Sequence, residues 1–358
     1  MNFDLSDEQR LLQETVDKFL ANECPPARVR QIFDSDSSFD PDLWKGLAEL
    51  GLGGLALPEQ YGGAGLELLD LAVVAEILGR RATPGPFFEH ALAGMAIALG
   101  GSEEQKRDWL PRLAAGDARA TVAFAEADDT WQPDQWKLPA GETLTGTKHH
   151  IPHARHADLI LVGLAGGNLA LVERGAPGLT IEAVEGLDRT RRLDRVQLEA
   201  TPCTLLPDGP GAAPRVRDAG LVLLAADAFG GGAQCVEVAV EYARTREQFG
   251  VKIGEFQALK HQLANMALEI EPARGLYWYA AHAFDHVPAE SAACAALAKA
   301  HLTDRFVEVA RSTVEAHGGI GYTWECDVHF WLKRAVFDRA FLGDPGLHRR
   351  RAADLYGW

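Results

Sequence analysis

Apolar residues near the start of the chain recur three and four positions apart, at Leu12, Val16, Phe19 and Leu20, which predicts an amphipathic helix. Ser6 followed by Gln9 supplies a capping box for its first turn. Similar patterns, closed by Gly or Pro near their ends, predict helices over 41–50, 66–80, 87–99 and 103–114. Residues 1–118 therefore read as an all-α domain. Between 119 and 213 the pattern shortens to apolar or alternating runs, at 121–124, 159–162 and 169–172, separated by Gly, Pro, Asp and Asn. That texture predicts a compact β-domain. Long helical patterns return after Pro214, over 221–244, 256–284 and 289–316, and predict a four-helix-type bundle across 214–358. The expected fold class is mostly α with a central β-domain.

Composition narrows the possible functions. With 358 residues, 47% hydrophobic and 24% charged, the chain can bury several cores. A formal net charge of -16 argues against nonspecific attraction to nucleic acid or anionic lipid and leaves room for a local basic pocket. No apolar run reaches about 18 residues, and the stretch from Met1 to Ser6 lacks a basic, apolar leader pattern. A cytoplasmic protein without membrane insertion is expected. Cys24, Cys203, Cys235, Cys294 and Cys326 are widely spaced and form no CxxC pair, so they read as reduced thiols.

Three stretches carry candidate chemistry. Leu57-Pro58-Glu59-Gln60-Tyr61-Gly62-Gly63-Ala64-Gly65 taken alone is a Gly-rich turn. In Tyr242-Ala243-Arg244-Thr245-Arg246-Glu247-Gln248-Phe249-Gly250, a guanidinium able to hold a pyrophosphate bidentately stands three residues before a flat apolar ring. Arg246 and Phe249 suit a dinucleotide; the alternative is a helix-end Arg complementing the macrodipole beside a core Phe. In Ala316-His317-Gly318-Gly319-Ile320-Gly321-Tyr322, Gly318 and Gly319 either let phosphates approach backbone N–H groups or simply stop a helix.

In this order and at these separations, the three stretches resemble the acyl-CoA dehydrogenase family, and with the α–β–α texture the resemblance covers essentially the whole chain. It implies FAD as cofactor, an acyl-CoA substrate, an electron-transfer flavoprotein or similar acceptor, and a homo- or hetero-tetramer. It also implies that Arg246 and Phe249 contact the FAD of a neighbouring subunit, with Ile253 and Phe256 near the adenine and Gly318 and Gly319 near the phosphates. The strand containing Phe124, Ala125 and Glu126, and the later Gly146-Thr147-Lys148-His149-His150-Ile151-Pro152, resemble the two segments that face the flavin ring.

Departures from the family pattern fall at the ring. Asp128-Asp129-Thr130-Trp131 stands where a Gly-Ser-Asp signature is usual, and His150 and Pro152 replace a Trp and a Thr or Ser. Proline offers neither a hydroxyl nor an N–H. Glu315 replaces a Gln three residues before Gly318. Dehydrogenation needs a carboxylate to take the α-proton. The resemblance places the usual Glu, counted from the glycine pair, at Leu342, and the position used by a minority of the family, counted back from Tyr242, at Gly220. Two substitutes are Asp227, inside the apolar run 221–229, and Asp344, beside the vacant position. Their bland readings are a buried, bonded Asp and a turn or cap Asp. A chain of this length ending in Phe341-Leu342-Gly343-Asp344-Pro345-Gly346-Leu347-His348-Arg349 resembles subunits of heteromeric bacterial acyl-CoA dehydrogenases, including those acting on steroid side chains, in which two related chains share one FAD site, and this resemblance accounts for the double vacancy.

Three other motifs remain. His149, His150, His153 and His156 read as one flavin-facing residue among surface groups rather than a metal site, because adjacent strand residues face opposite ways. Arg189, Thr190, Arg191 and Arg192 read as a CoA phosphate site or, more simply, a solvated loop. Gly230-Gly231-Gly232 has no preceding strand and is not a dinucleotide fingerprint; it permits close helix or ligand approach.

Overall fold

The capping box at Ser6 forms in the computed structural model, which describes residues 4–37 and 39–358. The reading of Met1, Asn2 and Phe3 lies outside these residues. Ser6 Oγ accepts the Gln9 N–H at 3.1 Å and Gln9 Oε1 accepts the Ser6 N–H at 3.0 Å, opening α1 (Asp7–Glu23). There follow α2 (Pro26–Asp34), α3 (Pro41–Glu49) capped by Asp40, α4 (Leu68–Arg80), α5 (Phe87–Gly100), and α6 (Glu103–Ala114) with a second capping box at Ser102 and Gln105. Helix α2 was not anticipated. The strands are β1 (Ala120–Ala123), β2 (Thr143–Pro152), β3 (Leu159–Leu164), β4 (Asn168–Glu173), β5 (Leu179–Val184), β6 (Leu193–Pro202) and β7 (Thr204–Leu205). Then come α7 (Gly209–Thr245), the hairpin strands β8 (Glu247–Gln248) and β9 (Val251–Lys252), α8 (Gln257–Ile270), α9 (Arg274–His286), α10 (Pro288–Ala316), α11 (Val328–Ala340) and α12 (Pro345–Tyr356).

Two differences from the expected helices have physical causes. The pattern over 256–284 is two helices, because Pro272 supplies no N–H and the chain passes through a short 3-10 turn, Glu271–Ala273. Helix α7 begins at Gly209 rather than 221, since Pro214 lies early in the helix and forfeits a single bond there. Among the described residues α7 alone is long and apolar enough to cross a membrane, yet 89% of its apolar window is buried in the protein.

The chain divides into two compact units. One comprises the segment up to Arg30, Ala72–Thr83 and Leu221–Trp358, and it is helical. Within it α10 packs against α8, α9, α11 and α12. A Cβ on Gly79 would stand 2.1 Å from the Asp227 carbonyl oxygen, and one on Gly230 1.9 Å from that of Glu76, so α4 and α7 meet backbone to backbone. The Gly230-Gly231-Gly232 run thus serves helix approach.

The other unit comprises Gln31–Leu71 and Pro84–Gly220 and contains seven of the strands. One sheet has the order β1-β3-β4-β7, with β1 and β3 parallel and the remaining pairs antiparallel. The other is the antiparallel β2-β6-β5. Leu144, Ile151, Ile160, Val162, Val172 and Val196 form part of their shared core. The β2–β6 register slips between Lys148 and Ile151, a bulge that re-aims His149 and His150. The Gly-rich turn at 57–65 is structural here: a Cβ on Gly63 would sit 2.1 Å from the Leu57 carbonyl oxygen.

Candidate functional site

In the helical unit, α7 ends where Arg246 donates its backbone N–H to the Tyr242 carbonyl at 2.9 Å. The following β8–β9 hairpin turns at Phe249 and Gly250, with φ of 54° and 79°. A left-handed phenylalanine is uncommon, and this one leaves its ring 92% exposed, edge-on to the half-exposed Phe256 at 6.2 Å between centroids. The Arg246 guanidinium is exposed and has no ion-pair partner among the described residues. Its carbonyl accepts the N–H of half-buried Ile253 at 2.9 Å. Tyr242 stacks on His317 at 4.3 Å, which brings the end of α7 beside the end of α10. Gly318 and Gly319 follow His317, and a Cβ on either would meet nothing within 4 Å. Arg246, Phe249 and the glycine pair thus share one open end of the unit. An unpaired guanidinium, an exposed ring and accessible glycine N–H groups suit the pyrophosphate and a flat edge of FAD. Glu315 is exposed beside them.

At the expected base position, Leu342 is wholly buried with φ 60°. Its carbonyl accepts from His348 Nε2 at 2.9 Å, and Lys299 Nζ donates to the carbonyls of Arg339 and Gly343 at 3.1 and 3.2 Å. Burial pushes the Lys299 ammonium down to about 7. Both candidate substitute bases have partners within the chain. Asp227 is buried with both oxygens on Arg334, at 2.8 Å from Nε and 2.6 Å from Nη2, so its lone pairs serve an ion pair. Asp344 caps α12: its Oδ1 accepts the Leu347 N–H at 2.7 Å, and that bond holds the carboxyl below its ordinary range. Both carboxyls are thus held by groups of this chain, Asp227 by Arg334 and Asp344 by the first turn of α12.

In the β-containing unit, Phe124 is buried and stacked on Trp136 at 5.0 Å, and its carbonyl accepts from Lys148 Nζ at 3.1 Å. Ala125 offers no hydroxyl, and its carbonyl is engaged by the His149 N–H at 2.9 Å. Lys148 also reaches Glu126 Oε1 at 2.9 Å, with both groups buried. Burial alone would push the Glu126 carboxyl up; the Lys148 bond and the Leu138 and Lys137 N–H groups outweigh it and hold it below its usual value. His150 is left-handed (φ 57°), its Nε2 3.1 Å from Asp129 Oδ1 and its ring near-parallel to Trp131 at 6.4 Å. The Pro152 carbonyl takes the Thr121 hydroxyl at 2.5 Å. An open cavity of about 580 Å³ lies beside these strands, lined by Glu126, Asp128, Lys137, Thr147 and His149. With no hydroxyl at 125 and neither hydroxyl nor N–H at 152, these residues do not fit the ring of a flavin as the family pattern does.

The histidine run is split. His153 turns into the core, its Nδ1 2.5 Å from Glu89 Oε1, and His156 stacks on Phe39 at 4.9 Å. The solvated-loop reading of 189–192 fails for Thr190 and Arg191, which are 0% and 4% exposed. Sequence reasoning missed the Glu89–His153 and Glu126–Lys148 pairs and the buried Lys299. Charged residues inside otherwise apolar helix and strand patterns were the available signal.

Residues 6–117 match the acyl-CoA dehydrogenase N-terminal domain and residues 219–355 the C-terminal domain. The chain is 34% identical over 340 residues to the acyl-CoA dehydrogenase IpdE2 of Mycobacterium tuberculosis, covering 95% of this chain and 94% of that protein. Among solved structures it resembles a variant of the Tcur3481-Tcur3483 steroid ACAD, at TM-score 0.90 and 34% identity, covering 98% of each chain. It also resembles the ChsE4-ChsE5 complex from Mycobacterium tuberculosis, at TM-score 0.89 and 26% identity, covering 100% of this chain and 99% of that one. The chain belongs to the acyl-CoA dehydrogenase family of flavin oxidoreductases.

Proposed function

We propose that this chain is one subunit of a heteromeric, FAD-dependent acyl-CoA dehydrogenase that desaturates an acyl-CoA thioester between its α and β carbons. In this reading Arg246, Phe249, Ile253, Phe256, Gly318 and Gly319 form one face of a flavin site, and a related chain supplies the ring-facing strand and the base. The observation that carries it is the asymmetry between two halves of one equipment. Arg246 is unpaired and Phe249 is 92% exposed, ready for a ligand, whereas Ala125 and Pro152 lack the hydroxyl that would bind a flavin ring and Leu342 lacks a carboxylate to take a proton. When bound, the flavin supplies the acceptor for hydrogen from the β-carbon. Arg246 would hold its pyrophosphate, and Phe249 would cover its edge and exclude water.

The similarity to a two-component steroid ACAD and to a two-chain complex supports both the partner and a bulky, ring-bearing acyl group. An electron-transfer flavoprotein or similar acceptor, a cytoplasmic location and the domain division at 118/119 and 213/214 belong to the same reading. A second reading, a noncatalytic structural subunit, draws on the buried Leu342.

Co-expression with the product of a neighbouring gene tests both. The expected result is a yellow complex that desaturates acyl-CoA, a colourless chain when expressed alone, and loss of flavin from the complex carrying Arg246→Ala. Full flavin content and turnover in that variant complex would favour the structural subunit. A complex without flavin would overturn the proposal.

A further inference from the structure

Helix α9 carries two histidines one turn apart, His282 and His286, in a chain of net charge -16. A spacing of four sets them on one face of the helix. The opposite face carries Tyr277, Ala280, Ala281 and Phe284, which are buried in the helical unit. His282 is accordingly half-buried, and His286 is exposed. Their ring centroids lie 4.6 Å apart, with the planes tilted by 30°.

For metal–nitrogen bonds of about 2.0–2.1 Å, two imidazoles on one ion at an angle of about 90–110° put their ring centroids about 4.5–5.2 Å apart. The α9 pair falls inside this window. His149 and His150 on β2, with centroids 6.2 Å apart, fall outside it. Each imidazole has two ring nitrogens, so a hydrogen bond at one leaves the other for an ion. Negative charge adjoins the pair. Tyr279 stands one turn before His282 on the same face, its ring centroid 6.5 Å from that of His282, and its hydroxyl donates to Glu290 Oε2 at 2.5 Å. A carboxylate from the first turn of α10 is thereby held beside the histidine face. His286 is also the last residue of α9, where the helix dipole favours a cation.

We propose that His282 and His286 form a binding site for one late first-row divalent cation, of the Ni²⁺, Cu²⁺ or Zn²⁺ kind, which completes its coordination with water. Imidazole nitrogen suits these ions, whereas Mg²⁺ and Ca²⁺ take oxygen donors. The ion links the last two turns of α9 and fastens the helix at its connection to α10, which is the single residue Val287. The site uses none of the residues assigned to flavin and does not depend on the dehydrogenase reading.

The test titrates Ni²⁺ and Mg²⁺ into the metal-free, untagged full chain by calorimetry, for wild type, His282→Gln, His286→Gln and His261→Gln, the last altering an exposed histidine of α8. Wild type is expected to bind one Ni²⁺ and no Mg²⁺. Either α9 variant should weaken Ni²⁺ by at least about tenfold, and His261→Gln should leave it unchanged. Nitrogen hyperfine structure in the electron paramagnetic resonance of bound Cu²⁺ should show two imidazoles in wild type and one in either α9 variant. Ni²⁺ should raise the urea midpoint of wild type and leave that of His282→Gln unmoved, because an ion that binds the folded pair stabilises the fold. Absence of Ni²⁺ binding in wild type overturns the site. So do undiminished binding in both α9 variants, which would be an adventitious ion on other histidines only, and a wild-type Cu²⁺ spectrum with a single imidazole.

Discussion

Replacing Asp227 by Asn separates a structural carboxylate from a catalytic one. Asp227 and Arg334 side chains are 2% and 1% exposed, and the pair is bidentate at 2.8 and 2.6 Å. Asparagine keeps the shape, loses the charge and offers one oxygen instead of two. Arg334 then retains its Nη1 bond to the Thr83 carbonyl at 3.0 Å but loses the negative charge of its bidentate partner. Breaking a buried pair from one side costs about 3–5 kcal/mol, and the surviving Thr83 bond places this case near the lower end. The helices cannot shift to compensate, because α4 and α7 already meet through Gly79 and Gly230. Removing both charges with Asp227→Leu and Arg334→Met should recover most of the loss, since apolar replacement of a whole pair is often neutral. The assay is urea unfolding followed by far-ultraviolet circular dichroism, comparing midpoints at unchanged slope. An Asp227→Asn protein within about 1 kcal/mol of wild type that had nonetheless lost turnover in its complex would refute the structural assignment and reinstate Asp227 as the base.

Other expectations follow from the same contacts. Lys148→Met strands Glu126 in the β-containing unit and should cost about 3 kcal/mol, read as a lowered unfolding midpoint. Because the Glu126 carboxyl is held below its unfolded value of 4.5, its stabilising contribution is present above that pH and fades as pH falls below it, so the wild-type advantage over Lys148→Met should shrink in acid. Lys299 titrates near 7 when folded and at 10.5 when unfolded, so between those values the unfolded chain binds more protons and this group adds stability as pH rises. The stability of wild type minus that of Lys299→Met should therefore increase from pH 7 to 10.5; a flat difference would contradict the buried placement. Phe249→Ala removes a ring that is 92% exposed and should change the stability of the chain by less than about 0.5 kcal/mol. It should still lower the flavin content of the complex, measured by absorbance after denaturation.

The sequence disclosed what is local. Periodicity located α1, α3 and α6 closely because each combines an apolar stripe with a cap or a Gly or Pro stop. Helix α2 escaped notice because it is short and Val29, Ile32 and Phe33 are too few to establish a period. Pro272 was visible, but the apolar pattern ran through it. At the site, the Arg246–Phe249 stretch was legible because guanidinium and ring belong to one turn. The fates of Asp227 and His153 were not legible: their partners, Arg334 and Glu89, lie 107 and 64 residues away. A buried acid that seems poised for catalysis and one that is fully paired look alike until the fold brings the partner in.

The described backbone places seven non-glycine residues at positive φ, among them Asp129, His150, Phe249 and Leu342, all at positions singled out for the candidate site. Each costs about 1–2 kcal/mol against a right-handed alternative, so surrounding contacts must hold it. At Leu342 those contacts reach only the main chain: His348 binds its carbonyl, and Lys299 binds the carbonyls of Arg339 and Gly343. The Leu342 side chain is wholly buried, following Phe341, which stacks on Phe337 at 5.0 Å. A carboxylate in its place would be desolvated in an apolar setting, and the nearby ammonium is committed to carbonyls. Loop and side chain together are built for an apolar residue, which favours locating the base on another chain over expecting a neighbouring acid of this chain to take its place.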